Sequence, residues 1–376
     1  MTTIFKDIFG ADRGFNVSAD VLTQSVDGVS LNLLWQEFME AQSIWNSTRS
    51  AVAALFTFPT TDSNDVLRAD GTASDFELAS EFGQAKTLRA PLNGIHVGFP
   101  FDWWDGRIGF TKRFLRNATA EQIRAQHSAA LAADNHLVFR ETLKAISTPL
   151  IPTRPTNLEG ASIYSLYAAA ADDAPPSYLG RTFAANHNHF FVSGATTIDG
   201  PDLAQLVTSI QEHGHGLRGS NERVVIFLHP DEAAIVRGFR AGVGSPASPW
   251  DFIPSVDAPP YLTNLVVVGD TPPAEFNKLP IFGSFGDALL SESYLVPDGY
   301  AIAVATAGPG STRNPLAFRQ HPRTESQGLI LTPGTERYPL IGSTYERGFG
   351  LGVRNRGAAA VMQIKASGSF VAPTIP

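Results

Sequence analysis

The stretch TAEQIRAQHSAALAADNHLVFRETLKAIS, Thr119 to Ser147, decides how the rest of the chain is read. Thr119 and Gln122 form a T-x-x-Q capping-box pattern, the sign of a helix start. Pro149 cannot continue a helix and closes the segment. Between them Leu131, Phe139, Leu143 and Ile146 mark one face, while Glu121, Arg124, Arg140, Glu141 and Lys144 stay polar. At 1.5 Å per residue the segment predicts a rod of roughly 40 Å. Its apolar stripe is thin and rich in alanine. Such a helix is expected to lie across a sheet or against neighbours, not in the middle of a bundle.

Upstream, residues 1–29 read as an irregular arm. From Ser30 a second stripe begins, with Leu31, Leu34, Trp35, Phe38, Ala41, Trp45, Val52, Leu55 and Phe56 at helical spacing, closed by Pro59. Between the two helices the chain changes character. "FELASEF" (76–82) and "RIGFTKRFL" (107–115) read as strands, and "GIHVGFPFDWWDG" (94–106) reads as an irregular aromatic excursion. A connection of this length inside a compact domain usually binds something. An aromatic loop alone in water invites aggregation, so it is expected to lie on another subunit.

Downstream, 150–185 is loop-like and a mixed α/β stretch follows. "HFFVSG" (189–194), "RVVIFL" (223–228) and "NLVVVGD" (264–270) read as strands. "PDLAQLVTSIQEH" (201–213) and "PDEAAIVRGF" (230–239) read as helices. Beyond 280, "SYLVP" (293–297), "YAIAVAT" (300–306) and "GLILTP" (328–333) read as strands. The end predicts a long hairpin, "YERGFGLGV" (345–353) turning at "RNRG" (354–357) into "AAAVMQIKASGSF" (358–370).

The chain of 376 residues allows about two or three domains. Hydrophobic residues make up 43 %, enough for real cores, and charged residues only 17 %, which suits a surface largely covered by other chains. The net charge of -8 argues against affinity-driven nucleic-acid binding. The absence of cysteine excludes disulfides, thiolate nucleophiles and Cys-ligated zinc. No apolar run has the length of a membrane span, and the first residues lack a signal peptide's pattern, so an intracellular origin is expected.

Four of the nine histidines fall in two His-x-His pairs, His187 with His189 and His213 with His215. Residues i and i+2 of a strand share a face, so the first pair could aim together at a metal. A structural reading competes. Asp199 or Gly200 caps a helix with Pro201 in its first turn, Leu203, Leu206, Val207 and Ile210 are its buried face, and Gly214 sits at a C-cap position with His213 in the last turn. No H-E-x-x-H spacing or carboxylate partner accompanies the pairs, so no metal ligand and no cofactor is expected. What stays open is whether the His187 and His189 face meets its own helix end or a neighbouring subunit; in the second case protonation below about pH 6.5 would loosen the contact. No G-x-S-x-G elbow is present. "GFGLGVRNRG" fails as a dinucleotide fingerprint because Asn355 stands where a third glycine belongs. Glu37 and Glu40 read as solvated, and His229-Pro230 as a helix start. No catalytic residue is expected, and the chain reads as a non-enzyme.

The order of these elements resembles the major capsid proteins of tailed double-stranded DNA bacteriophages, a fold shared with encapsulins. The residues that carry the likeness are the extended segment with "FELASEFG" and "RIGFTKRFL", the long helix quoted first, the series "IDGPDLAQLVTSIQEHG", "RVVIFLHPDEAAIVRGF" and "NLVVVGD", and the closing "STYERGFGLGVRNRGAAAVMQIK". The resemblance implies an α+β phage-capsid fold: an N-terminal arm and amphipathic helix (1–61), an extended two-stranded loop (62–114), a peripheral domain with a long spine helix (115–185), a mainly central axial domain (186–325) and terminal strands of the peripheral domain (326–376). It implies a homo-oligomeric shell of pentamers and hexamers, enclosing DNA without sequence-specific binding, made in the host bacterial cytoplasm and ending in the virion, with a portal and a separate scaffolding protein as partners. An encapsulin-type compartment is the alternative with the same fold; a His-ligated metalloenzyme is the alternative of another class. Some family members crosslink a lysine of the extended loop to a distant asparagine, which makes Lys86 or Lys112 with Asn355 a candidate pair.

Overall fold

The computed structural model describes residues 23–47, 51–68, 94–170, 174–257, 271–335 and 340–375, with Phe76, Leu78, Ala79, Glu81 and Gly83 between. In chain order the elements are α1 (Leu31–Ser47), α2 (Ala51–Phe56), β1 (Thr57–Thr60), β2 (Asn64–Arg68), β3 (Gly94–Gly98), β4 (Asp102–Ile108), α3 (Lys112–Asn117), α4 (Ala120–Ser147), β5 (Phe190–Val192), α5 (Gly200–Gln211), β6 (Arg223–Leu228), α6 (Pro230–Val236), β7 (Phe252–Pro254), β8 (Glu275–Phe276), β9 (Leu279–Pro280), β10 (Gly283–Phe285), β11 (Ala288–Glu292), β12 (Tyr300–Thr306), β13 (Leu316–Gln320), β14 (Leu329–Thr332), β15 (Ser343–Val353) and β16 (Ala359–Gln363). They form two units. One comprises Met1–Thr48, Trp104–Asp134 and Leu329–Arg347; the other comprises Arg49–Trp103, Asn135–Gly328 and Gly348–Pro376.

The first unit is organised by the start of α4. The capping box is reciprocal: the Thr119 N–H donates to Gln122 Oε1 (3.0 Å) and the Gln122 N–H to Thr119 Oγ1 (3.3 Å). Asp27 adds its carboxylate to the free Ala120 N–H, where a helix N-terminus favours negative charge. Leu31, Leu34 and Phe38 of α1 pack on Leu115, Ala118, Ala120 and Ile123. Arg124 pairs in bidentate fashion with Glu37 at 2.8 and 3.1 Å, so Glu37 is a partner of α4 and not the solvated acid expected. The end of α1 reads the backbone of β14: Gln42 and Asn46 amides donate to the Leu329 carbonyl, and the Leu329 N–H donates to Asn46 Oδ1. There β14 pairs antiparallel with the first part of β15, from Leu329↔Arg347 to Thr332↔Thr344.

The second unit holds a seven-stranded mixed sheet in the order β5-β16-β12-β6-β11-β10-β7. Val224, Ile226 and Leu228 of β6 and the alanines of β12 face Leu203, Leu206, Val207 and Ile210 of α5 in one fully buried cluster. The opposite face is covered too, since Phe227 meets Phe56 of α2 with ring centroids 4.8 Å apart. Burial on both faces explains why "RVVIFL" and "YAIAVAT" are continuous apolar runs. In the same unit β1 runs parallel to β13, and β13 pairs antiparallel with the last part of β15.

Several expectations are corrected. The first stripe does not run on to Pro59: α2 stops at Phe56, and Pro59 lies inside β1. As an end strand of its sheet, β1 tolerates a residue with no N–H. "RIGFTKRFL" is not one strand. Arg107 and Ile108 end β4, and Thr111 caps α3 by accepting the Phe114 N–H at 3.1 Å. "GIHVGFPFDWWDG" is not irregular, since it contributes β3 and β4, and β3 pairs antiparallel with β2. "SYLVP" is a turn beyond β11. The terminal hairpin does not form: β15 pairs with β13 and β14, whereas β16 inserts between β12 and β5. "NLVVVGD" lies outside the described residues, as do Glu77, Ser80 and Phe82 of "FELASEF"; its described residues, Phe76, Leu78, Ala79 and Glu81, are not in a strand.

Candidate functional site

Two constructions in the second unit stand out, and both are built from motifs visible in the sequence. The first uses the glycines of "GFGLGV". Gly348, Gly350 and Gly352 share one face of β15, and Phe349, Leu351 and Val353 the other. Phe349 stacks on Phe318, centroids 5.2 Å apart. Over the glycine face runs the segment Gly98–Trp103. A Cβ on Gly350 would stand 1.7 Å from the Pro100 carbonyl oxygen; one on Gly352 would stand 2.5 Å from Phe99 Cδ1; one on Gly348 would meet the rings of Phe101 and Trp103 at 2.7 and 2.8 Å. The glycines therefore make a track for close backbone approach. The segment is held there from several sides. The Gly98 N–H donates to Ser162 O, the Phe99 N–H to Ser63 O, and Arg319 Nη1 to Phe99 O at 2.9 Å. Arg319 also grips Glu159 with both guanidinium ends.

The second construction answers the histidine question. Asp199 caps α5 through a full capping box with Asp202, and Gly214 follows the helix with φ +80°. His213, just past the last turn, points back at the segment entering β5. The Nε2 atoms of His187, His189 and His213 converge: 3.1 Å between His187 and His189, 2.8 Å between His187 and His213, and 3.1 Å between His189 and His213. The histidine face thus meets its own helix end. His189 is fully buried, and His187 and His213 are half-buried. Burial holds all three imidazoles toward the neutral form, with His189 down to about 3 and His213 to about 2. Phe183 stacks on His213 at 4.3 Å, and Tyr167 lies beside all three rings. Neither aromatic residue carries a local sequence signal; only the fold brings them here.

His215 does not join the three. It faces Glu222, its Nδ1 3.6 Å from Oε2. Burial pushes the Glu222 carboxyl up, but the nearby His215 imidazole and hydrogen bonds from Arg313 and the Gly216 N–H outweigh it and bring it down to about 2. Because the folded value lies below the usual one, the stabilisation is complete above about pH 4.5 and fades as pH falls toward 2. Glu222→Gln is expected to lower stability at pH 7 by about 1–2 kcal/mol and to flatten the stability-against-pH curve between pH 5 and 2. Urea unfolding of the two proteins across that range reads both effects; parallel curves would contradict them.

Of the crosslink candidates, Lys86 lies outside the described residues and Lys112 is exposed on α3. The Asn355 amide is engaged, donating to Thr312 O and Asn314 O at 2.8 Å each. His229 caps α6, as its Pro230 suggests.

No protein-family model matches the chain, and no curated protein matches it. Among solved structures, a chain from Mycobacterium phage Patience is 31 % identical over 96 % of this chain and 96 % of its own length, with a TM-score of 0.71. The capsid of an empty GTA particle (12 % identity, 84 % and 91 % covered, TM-score 0.46) and the mature capsid of bacteriophage PhiM1 (10 %, 85 % and 89 %, 0.45) are looser likenesses that add no weight. Identity at that level over nearly the whole of both chains shows the family: the chain belongs to the major capsid proteins of tailed double-stranded DNA bacteriophages.

Proposed function

We propose that this subunit of an icosahedral phage capsid works by assembly alone and carries no catalytic function. Copies close into pentamers and hexamers through heterologous contacts that form rings. The observation that carries the reading is the end-to-end likeness to the Patience chain. In this proposal residues 1–61 are an arm and helix, 62–114 an extended loop over a neighbouring subunit, 115–185 a peripheral domain with α4 as spine, 186–325 the axial domain, and 326–376 terminal strands. Trp103 rests on Gly348 and Phe101 of its own chain but stays half-exposed, which leaves aromatic surface for a neighbour to cover. The net charge of -8 suits a wall that encloses DNA without gripping it. A portal and a separate scaffolding protein complete the assembly, which is built in the host cytoplasm. Among the described residues no helix is long and apolar enough to cross a membrane.

Particles purified from an infected culture test the genome-enclosing role. They are expected to hold double-stranded DNA that resists added nuclease until the shell is opened. Shells that hold a protein cargo and no DNA would favour the encapsulin-type alternative.

A further inference from the structure

The three converging imidazoles have no part in the assembly reading, and their geometry is unusual for hydrogen bonding alone. His189 Nδ1 lies 2.6 Å from the Ala359 carbonyl oxygen. A carbonyl only accepts, so Nδ1 carries the proton and Nε2 presents a bare lone pair. His187 and His213 aim their Nε2 atoms at the same point. In an all-neutral cluster a ring N–H aimed there satisfies one neighbour and leaves other lone pairs facing each other. A cation at the centre satisfies all three at once.

We infer that His187, His189 and His213 form a three-histidine site for a divalent transition metal, zinc first, which ties the strand entry at β5 to the end of α5. Zinc–imidazole bonds of about 2.0–2.1 Å in a tetrahedron set N–N edges of about 3.3–3.4 Å. The observed edges of 2.8, 3.1 and 3.1 Å are tighter by a few tenths of an ångström, a change that small ring rotations supply. An all-imidazole set suits zinc, copper or nickel and not magnesium or calcium.

The surroundings have what a metal site needs beyond its ligands. The Ala359 carbonyl fixes the tautomer and orientation of His189, as outer partners of metal-bound histidines do. Phe183 and Tyr167 both stack on the His213 ring and hold it in place. Gly357 makes room for His213: a Cβ there would stand 2.6 Å from its Cγ. An open groove lined by Asn186, Asn188, Gln205, Thr208 and Glu212 exposes one ligand, His187, to solvent, and a second hollow exposes His213. The burial that keeps these imidazoles neutral keeps them ready as ligands.

The sequence shows no H-E-x-x-H spacing and no carboxylate partner beside these histidines, and its second pair reads as a helix end, so it gives no metal ligand there. The ligand set takes both members of the first pair and one of the second. His215 is turned to Glu222 instead.

The test uses the full chain without a polyhistidine tag. Wild-type protein purified from zinc-supplemented medium is expected to carry about one zinc per chain by elemental analysis. Prolonged chelation should remove it and lower the thermal unfolding midpoint, and zinc alone should restore both, as for any ligand that binds only the folded state. Cobalt(II) added to the stripped protein should give the intense visible bands of a low-symmetry, nitrogen-ligated site. His187→Gln, at a half-buried position, should fold and lose at least tenfold in zinc content. Should that variant fail to fold, the chelation and cobalt results on wild-type protein decide. Zinc below a tenth of an equivalent on wild-type protein, cobalt with only the pale spectrum of its aqua ion, or unchanged zinc in folded His187→Gln would each overturn the site.

Discussion

Gly350→Ala is expected to leave no assembled shells. The new Cβ would stand 1.7 Å from the Pro100 carbonyl oxygen, and that neighbour is backbone. No side-chain rotation relieves it. Segment 98–103 or strand β15 must move, and both are held: β15 by its ladder with β13, the segment by Arg319, Ser63 and Ser162. Overpacking in cores typically costs about 1–3 kcal/mol, and a clash with fixed backbone belongs at or above the top of that range. The neighbouring glycines are internal controls. At Gly352 the first contact is a ring atom of Phe99 with its Cα 3.2 Å away; at Gly348 both contacts are ring edges. Alanine should therefore harm assembly in the order 350, then 352, then 348. Sedimentation of the three variants reads the order. Normal shell yield from Gly350→Ala would contradict the glycine track.

Asp134→Ala is the second large effect. Asp134 lies on α4, 6 % exposed, where it accepts the Trp45 indole N–H at 2.9 Å and pairs with the Arg347 guanidinium. Trp45 belongs to α1 and Arg347 to β15, so one carboxylate joins three elements of the first unit. Alanine takes the counter-charge from an arginine whose side chain is only 13 % exposed. Removing one partner of a buried ion pair costs about 3–5 kcal/mol, a large share of a typical domain's stability. The urea midpoint of purified subunits should fall accordingly. Replacing both charges together, Asp134→Leu with Arg347→Met, should recover much of the loss, because an apolar pair of similar size needs no desolvation. A loss under about 1 kcal/mol for Asp134→Ala would show that the pair is effectively solvated.

Much of the architecture was legible because its signals are local. The T-x-x-Q box, Asp199 with Pro201, and the β-branched run "RVVIFL" each announce an element within a few residues, and α4, α5 and β6 follow them closely. Failures came where distant pairing decides. Nothing in "AAAVMQIK" says that it pairs with β12 instead of the preceding strand, because both options bury the same alanines and valine. "RIGFTKRFL" alternates like a strand, yet the Thr111 side chain offers a helix cap in its middle. The glycines of β15 were visible as glycines, but their reason lies in Pro100, far away in sequence. The histidine set was half legible: the spacing placed His187 and His189 on one face, and only the packing of the α5 end against β5 brings in His213.

A major capsid protein of this family builds a closed shell from copies of itself. Negative-stain electron microscopy of the expressed protein, alone and with its scaffolding partner, tests it most directly. Hollow, closed particles tens of nanometres across are expected. A monodisperse monomer at high protein concentration under both conditions would contradict it.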